Sequence, residues 1–304
     1  RGQKVVLKIQ KPGIRAKIES DLRLLDQLAK LAADNSVELR RYRPVELVRE
    51  FKRSLTRELD FTIEARNADR IRKNMRSLKW LTVPRVYWEL SSQTLQVQEH
   101  IQGIPARATD QLDAEGLDRV LIARRGALAA WKMALEDGFF HADPHPGNIM
   151  ITDDDTLVLL DFGCAQSLSD AARHGYFRVL QACVVDDQKV IADTLTAMGF
   201  TTRSGNPDTL LAFVAAILDQ VRNAIIYPDP DKGWPSAEEM MQQVSQLLDR
   251  LEHDPVEKMP GDFIMLARVF GTLGGFFLHY QPKVDIAALV LGYLTRPLDN
   301  QLAA

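Results

Sequence analysis

The segment HADPHPGNIMITDDDTLVLLDFG, residues 141–163, carries the pattern that decides the fold. Asp143 and Asn148 lie five positions apart, and Pro144 and Pro146 stand between them. A regular helix is excluded there, because proline removes a backbone donor and fixes φ. The sequence therefore predicts a tight loop that presents one carboxylate and one amide.

Two mostly apolar runs follow this loop, residues 149–152 and 156–160, and the three aspartates between them predict the turn of a β-hairpin. The second run leads into Asp161, the first residue of an Asp-Phe-Gly tripeptide. A carboxylate at a strand end, near a loop with another carboxylate and an amide, suits Mg²⁺, which prefers oxygen ligands. Protein kinases use this arrangement: the loop aspartate orients the acceptor, while the asparagine and the second aspartate hold the metal. A metal pair of His141 and His145 with Asp143 is less favoured, because no third His or Cys has ligand spacing nearby.

Composition excludes several classes of protein. The formal net charge of -3 over 304 residues argues against nucleic acid as the main partner. Two cysteines give neither a disulfide framework nor a zinc site, which favours a reducing, cytoplasmic compartment. No run of about 18 uncharged apolar residues predicts a membrane span, so any membrane association is expected to be peripheral. The chain starts at Arg1 without Met, and we expect its first domain to be incomplete at the start.

A lysine and three acidic residues in the first quarter of the chain complete the kinase pattern. The alternating run KVVLKIQ predicts a strand in which Lys8 is the candidate to hold the α and β phosphates of ATP. A kinase also needs a glutamate on a helix behind that lysine. One long helix is predicted from Pro44 to about Arg76, and it carries Glu58, Asp60 and Glu64. Glu64 is the preferred partner of Lys8 and Glu58 the alternative, since spacing alone does not separate them.

Periodicity predicts the remaining elements. Helices are expected at 15–34 and 115–137 and strands at 83–90 and 94–99. The second strand ends at Glu99, and Glu99 and Ile101 are candidates to present backbone groups to an adenine edge. Further helices are predicted beyond the Asp-Phe-Gly, with a Pro-rich surface loop at 227–231; the ranges are 169–185, 187–198, 207–226, 236–252, 260–279 and 284–294. The predicted class is α+β: a two-lobed protein-kinase-like fold with a small strand-containing N-lobe, residues 1–101, and a mostly helical C-lobe, residues 102–304.

Five motifs resemble one known family, the UbiB-like or aarF-domain-containing atypical protein kinases. They are VVLKIQKPG (5–13), RELDFTIEARNA (57–68), VQEHIQGIP (97–105), HADPHPGNI (141–149) and LLDFG (159–163). The late segment GTLGGFFLHYQPKVD is similar to that family's C-terminal helices. The resemblance covers nearly the whole chain.

The resemblance implies a role for each candidate residue. Lys8 would be the nucleotide-phosphate lysine and Glu64 its ion-pair partner, and Asp143 would be the catalytic-loop aspartate. The metal ligands would be Asn148 and Asp161, while Glu58 and Asp60 would be the family's ExD acids. ATP and Mg²⁺ would be the cofactors, and kinase or ATPase chemistry would support prenyl-quinone (ubiquinone-type) lipid metabolism. Partners would be quinone intermediates or quinone-biosynthesis enzymes.

Two alternatives remain open from the sequence. A small-molecule kinase also uses an H-x-D-x-x-x-x-N loop, although the Asp-Phe-Gly and the acidic helix weigh against it. A nucleotide-sensing pseudokinase scaffold that binds lipids or partner enzymes would keep the same residues as a switch.

Overall fold

The computed structural model describes residues 2–36, 44–212, 214, 256–267, 269 and 280. The chain separates into two compact units. Unit 1 comprises Arg1–Lys73, Val83–Gln102 and Leu160–Cys164. Unit 2 comprises Asn74–Thr82, Gly103–Leu159 and Ala165–Ala304. The division into lobes near residue 101 stays a prediction.

The described residues form short strands and longer helices. The strands are β1 Val5–Ile9, β2 Leu81–Thr82, β3 Leu95–Glu99, β4 Ile104–Pro105, β5 Phe139–Phe140, β6 Ile149–Ile151, β7 Leu157–Leu159, β8 Gln166–Ser167, β9 Thr201–Thr202 and β10 Val256–Lys258. The α-helices are α1 Ile14–Asn35, α2 Pro44–Glu58, α3 Phe61–Asn74, α4 Thr109–Ala114, α5 Arg119–Trp131, α6 Asp170–Val184 and α7 Gln188–Ala197. A π-helix, Lys132–Glu136, continues α5.

Unit 1 is built from an antiparallel pair of strands and three helices. Strand β1 pairs with β3 from Val5 opposite Glu99 to Ile9 opposite Leu95. Helices α1 and α2 pack against each other. The predicted strands at the lysine and at 94–99 and the predicted helix at 15–34 are confirmed.

The single long helix predicted from residue 44 to 76 is wrong, because the chain breaks at Leu59 and Asp60 into α2 and α3. The Asp60 carboxylate accepts hydrogen bonds from the Thr62 backbone N–H (3.0 Å) and the Thr62 hydroxyl (2.7 Å). An aspartate in this position satisfies a free donor of the next helix and favours a helix start. Glu58 is therefore the last residue of α2, whereas Glu64 lies in the first turn of α3.

The strand predicted at 83–90 is also wrong. Only Val86 forms a bridge, to Gln98, and Trp88–Leu90 form a 3₁₀ turn. Pro84 has no N–H to donate to a ladder, which limits regular pairing here. A two-residue strand forms earlier instead, at Leu81–Thr82.

Unit 2 contains a four-stranded sheet in the order β2-β7-β6-β4, with β2 parallel to β7 and the other pairs antiparallel. The predicted β6–β7 hairpin is confirmed. The helix predicted from 115 starts later, at Arg119, because the Asp118 carboxylate accepts from two backbone N–H groups and acts as its N-cap. It also changes to π-helix at Lys132 instead of continuing as α-helix to 137.

Helices α6 and α7 pack together near the predicted ranges. Their apolar faces form one buried cluster with the segment that follows, and its members are Val179, Ala182, Ile191, Leu195, Phe200, Leu210 and Val214. Residues 207–212 and 261–267 are helical, whereas the predictions for 227–231, 236–252 and 284–294 lie outside the described residues. Among the helices described, none is long and apolar enough to cross a membrane.

Candidate active site

Strand β1 and helix α3 bring Lys8 and Glu64 together in unit 1, although they are 56 positions apart in sequence. The Lys8 Nζ donates to both carboxylate oxygens of Glu64, at 2.9 and 2.7 Å. The Glu64 side chain is only 10 % exposed, against 38 % for Lys8. Burial raises the pKa of Glu64, and the hydrogen bond from Lys8 opposes that effect. The geometry thus selects Glu64 over Glu58 as the contact of Lys8.

Asp161 lies beside the same ammonium, with its Oδ2 3.6 Å from Lys8 Nζ. Its backbone has φ of 58°, a left-handed conformation that aspartate adopts more readily than most residues. The Gly163 N–H donates to Asp161 Oδ1 at 3.3 Å and supports this turn. The Asp161 side chain is 51 % exposed, so its carboxylate is accessible to a ligand.

Two residues that the sequence analysis did not single out stabilise this arrangement. The Asn67 Nδ2 donates to the carbonyl of Phe162 at 3.0 Å, which ties α3 to the Asp-Phe-Gly segment. The ring centroid of Phe61 lies 5.5 Å from Lys8 Nζ, a cation–π contact on the same helix. Asn67 is three positions after Glu64, and that helical spacing was the signal that could have identified it.

The ExD acids occupy different surroundings. Glu58 is exposed at the end of α2, and Asp60 is partly buried as the cap of α3. Among the described residues, neither carboxylate forms a hydrogen bond or an ion pair with Lys8, so their roles stay predictions.

Glu99 and Ile101 lie at and just beyond the end of β3. The Glu99 N–H donates to the Arg85 carbonyl at 2.8 Å, and the Glu99 Oε2 accepts from the Arg85 N–H at 3.1 Å. The Glu99 N–H is therefore already hydrogen-bonded. The candidate groups for an adenine edge are then the Glu99 carbonyl and the Ile101 backbone.

The loop predicted around Asp143 and Asn148 lies in unit 2, between β5 and β6. The Asn148 Nδ2 donates to the Asp143 carbonyl at 3.1 Å, and the Asn148 N–H donates to the His145 carbonyl at 2.8 Å. The His145 Nδ1 accepts the Gly147 N–H at 3.0 Å, which places the proton of the neutral ring on Nε2. That Nε2 lies 4.0 Å from Asp143 Oδ2. The loop is thus closed on itself by four internal contacts.

The start of the loop is rigidly held. His141 is 1 % exposed and its Nδ1 accepts the Asp143 N–H at 3.3 Å. Ala142 is fully buried and has a φ of 60°, in the left-handed region. Both features fix the backbone that leads into the Asp143 carboxylate, whose side chain is 22 % exposed.

In unit 1 a paired cation lies next to an exposed carboxylate, and in unit 2 a loop presents a second carboxylate and an amide. These are the types of group that phosphoryl transfer uses. The fold and these groups together define a kinase-like protein. Residues 1–195 match the model of the ABC1 atypical kinase-like domain, and this chain belongs to that family. The family identified from the five sequence motifs is confirmed.

Named relatives agree with this family. Over 301 residues the chain is 41 % identical to the "Probable protein kinase UbiB" of Aliivibrio fischeri, covering 96 % of this chain and 49 % of the relative. It is 28 % identical over 298 residues to the chloroplastic "Protein ACTIVITY OF BC1 COMPLEX KINASE 7" of Arabidopsis thaliana, covering 98 % of this chain and 41 % of that protein. The chain spans about half the length of the curated relatives it matches.

A solved structure shares the fold. It is the complex of Rv3197 with erythromycin from Mycobacterium tuberculosis, with a TM-score of 0.71 and 19 % sequence identity, and it covers all of this chain and 73 % of that one. The predicted α+β kinase-like fold, with strands in the N-terminal part and a mostly helical remainder, is confirmed.

Proposed function

We propose that this chain is an atypical kinase or ATPase that uses Mg-ATP and supports prenyl-quinone lipid metabolism. The single observation that carries the catalytic part is the double hydrogen bond between Lys8 and the buried Glu64, with Asp161 3.6 Å from the same ammonium. Burying a carboxylate such as Glu64 is unfavourable unless it is paired, and Lys8 supplies that pairing. A lysine with only a surface role would not require a buried carboxylate beside it. The quinone part of the proposal rests on family membership.

The chemistry of two candidate ligands supports the proposal of a magnesium nucleotide. Asp161 offers an exposed carboxylate, and Asn148 offers its amide oxygen because its Nδ2 is committed to the Asp143 carbonyl. Both are hard oxygen ligands of the kind that Mg²⁺ prefers. Mg²⁺ usually keeps phosphate oxygens and water among its ligands, and these would complete its coordination here. Among the described residues, no group of three or more His, Cys, Asp or Glu side chains could hold a metal ion.

Each residue has a distinct task in the proposed reaction. Lys8, fixed by Glu64, would bind the α and β phosphates, and the carbonyl of Glu99 with the backbone of Ile101 would take the adenine edge. Bound Mg²⁺ would neutralise charge on the phosphates. Asp143, held by its loop, would orient the hydroxyl or water that accepts the phosphoryl group.

We further propose that the protein acts in the cytoplasm, peripherally at a membrane, near quinone intermediates or the enzymes that make them. This fits a lipid pathway in which the polar reaction takes place at the surface and the prenyl tail stays in the bilayer.

The test is phosphate release from Mg-ATP by the purified protein, with and without liposomes that contain a prenyl-quinone precursor mimic. We expect release that the lipid stimulates, and that Asp161→Asn lowers by at least about 100-fold, in the range found when one electrostatic catalytic group is removed. Asp193→Asn, an exposed carboxylate on α7, is the matched control and should keep full activity.

Binding of a fluorescent ATP analogue separates two kinds of failure. Nucleotide binding without phosphate release under any condition would favour the nucleotide-sensing scaffold over an enzyme. Transfer of labelled phosphate to a soluble alcohol or amine would support a small-molecule kinase instead. Full activity in the Asp161→Asn protein would reject the site.

A further inference from the structure

A half-buried ion-pair cluster lies in unit 2 at the junction between α5 and the segment that leads into the Asp143 loop. Lys132 Nζ is 2.8 Å from Asp137 Oδ1 and 3.1 Å from Glu136 Oε2. The three side chains are 13 to 20 % exposed. One half-buried cation therefore pairs with two consecutive half-buried carboxylates, and charged residues are rarely buried to this extent unless they are paired.

The backbone here is equally unusual. Lys132–Glu136 form a π-helix, and the Asp137 N–H donates to the Lys132 carbonyl at 3.0 Å, five residues back. Lys132 and Asp137 are thus joined twice, through the backbone and through the side chains. A π-turn is rare and less favourable than α-helix, and such turns are frequently found at functional sites.

The cluster carries an unsatisfied group. Asp137 Oδ2 is buried and accepts no hydrogen bond from the described residues. Burial raises the pKa of Asp137, and the hydrogen bond from Lys132 opposes that shift. A buried polar atom without a partner is uncommon in native proteins and calls for an explanation. A contribution to folding stability does not explain this ion-pair cluster, because apolar side chains of similar volume are often as stabilising as a buried ion pair.

The cluster is connected to the catalytic loop by a short, well-fixed path. The Gly138 carbonyl accepts the Leu168 N–H at 2.8 Å, and β5, Phe139–Phe140, pairs with β8. Both phenylalanines are buried, and three residues later the chain reaches Asp143. Strand β8 follows the Asp-Phe-Gly by three residues in sequence, so this small sheet joins the chain before the loop to the chain after the Asp-Phe-Gly.

A second cation braces the end of the π-helix from another element. Arg173 on α6 donates to the Glu136 carbonyl and, at 2.9 Å, to Asp170 Oδ1. The turn between the π-helix and β5 is therefore held by Lys132 from within and by Arg173 from α6.

We propose that Lys132 is a positioning residue for Asp143: its contacts with Glu136 and Asp137 hold the π-turn that sets the start of β5 and hence the loop. This rests on the proposed function, in which Asp143 orients the phosphate acceptor. Lys132 itself does not need to touch the nucleotide. Its loss should change turnover more than nucleotide affinity.

The test compares Lys132→Met, Lys132→Arg and Asp137→Asn in the purified protein, by steady-state phosphate release and by hydrogen–deuterium exchange of residues 139–149. Lys132→Met should lower kcat by about 10- to 100-fold, the effect expected when a catalytic group shifts by about 1 Å, with KM for ATP changed less than about twofold. Exchange in 139–149 should rise. Lys132→Arg should restore both readouts to within about threefold of the parent, because a guanidinium can bridge two carboxylates. Asp137→Asn should give an intermediate loss.

Leu195→Ala is the matched control for general destabilisation, because Leu195 is 2 % exposed in the cluster of α6 and α7. It should lower the melting temperature without raising exchange at 139–149 or lowering kcat at a temperature where the protein stays folded. Unchanged exchange at 139–149 in Lys132→Met would overturn the proposal, as would raised exchange with normal kcat, or an equal effect of Leu195→Ala. If the parent protein releases no phosphate, the proposed function fails, and the exchange result alone then decides whether Lys132 holds the loop.

Discussion

Removal of the Lys8 cation should leave the Glu64 carboxylate buried without its main partner. Glu64 is 10 % exposed and accepts two hydrogen bonds from Lys8, at 2.9 and 2.7 Å. Lys8→Met keeps most of the side-chain length and removes the charge. Asp161, 3.6 Å from the ammonium, would then add repulsion to the isolated Glu64.

The size of the loss follows from the exposure of the two partners. Breaking a fully buried ion pair costs about 3–5 kcal/mol, and an exposed pair is worth about 0–1 kcal/mol. Because Lys8 is 38 % exposed, solvent screens the pair, and we expect Lys8→Met to lower the free energy of unfolding by about 1–2 kcal/mol at neutral pH. That corresponds to a fall in Tm of about 2–8 °C.

The loss should depend on pH in a defined direction. Burial raises the pKa of Glu64 above the ordinary value of 4.5, so the folded state binds the proton more tightly than the unfolded state. The stability from this proton is present at pH below 4.5 and disappears as pH rises through the raised pKa. Without the opposing hydrogen bond of Lys8 the pKa rises further and the window extends upward. The deficit of Lys8→Met should therefore be smaller at pH 5 than at pH 7.5.

The assay is urea denaturation of the parent, Lys8→Met, Glu64→Gln and the double variant at both pH values. Trp88 lies in the same unit as Lys8 and Glu64 and contributes to the change in fluorescence on unfolding. The coupling energy from this double-mutant cycle should be about 1–2 kcal/mol at pH 7.5. Additive effects of the two substitutions, or a Lys8→Met deficit that is the same at both pH values, would refute the reasoning.

Three further predictions concern stability and use thermal or urea unfolding. Gly103→Ala should lower the free energy of unfolding by about 1–3 kcal/mol, because the added Cβ would lie 2.7 Å from the Ile151 carbonyl oxygen. In the control Gly126→Ala the added Cβ meets nothing within 4 Å, and this variant should stabilise α5 by about 0.5–1 kcal/mol. Equal effects of the two substitutions would contradict the steric argument. Asp118→Ala should lower the free energy of unfolding by about 1 kcal/mol, because α5 loses its N-cap. An unchanged free energy of unfolding would show that the cap is dispensable. Phe200→Ala should lower the free energy of unfolding by about 3–5 kcal/mol, because the ring is fully buried. A decrease of less than about 1 kcal/mol would argue against a packed core around Phe200.

Local patterns predicted much of the fold. The hairpin after the Asp143 loop, the strands at the lysine and at 94–99, and the first helix all follow from periodicity and turn residues, which act within a few positions. The sequence-based errors fall where a side chain competes with periodicity. Asp60 interrupts an amphipathic pattern that otherwise continues, and Pro84 lies in a run that otherwise reads as a strand.

The candidate site residues stay predictions. The sequence singled out Asp143, Asn148 and Asp161 because the residues of one loop and one hairpin are close in sequence. The choice between Glu58 and Glu64 was open, since either lies on a helix and the partner lysine is far away in the chain. Asn67 lies three positions after Glu64 in the motif 57–68, but its contact with the Phe162 carbonyl spans 95 positions. Lys132 lies in none of the five motifs, and helical periodicity does not reveal the π-helix there.

The sequence by itself determined which chemical groups are present and in which local setting: a lysine on a strand, a carboxylate and an amide on a proline-rich loop, and an aspartate after a hairpin. Local backbone preferences act over a few residues, so they can be predicted from the sequence without a structure. Only the tertiary structure decided that Lys8 contacts Glu64 across 56 positions and that Lys132, Glu136 and Asp137 form a half-buried cluster ahead of the loop. Such contacts depend on how helices and strands pack and on the cost of burying a charge, and neither is a property of any short stretch of sequence.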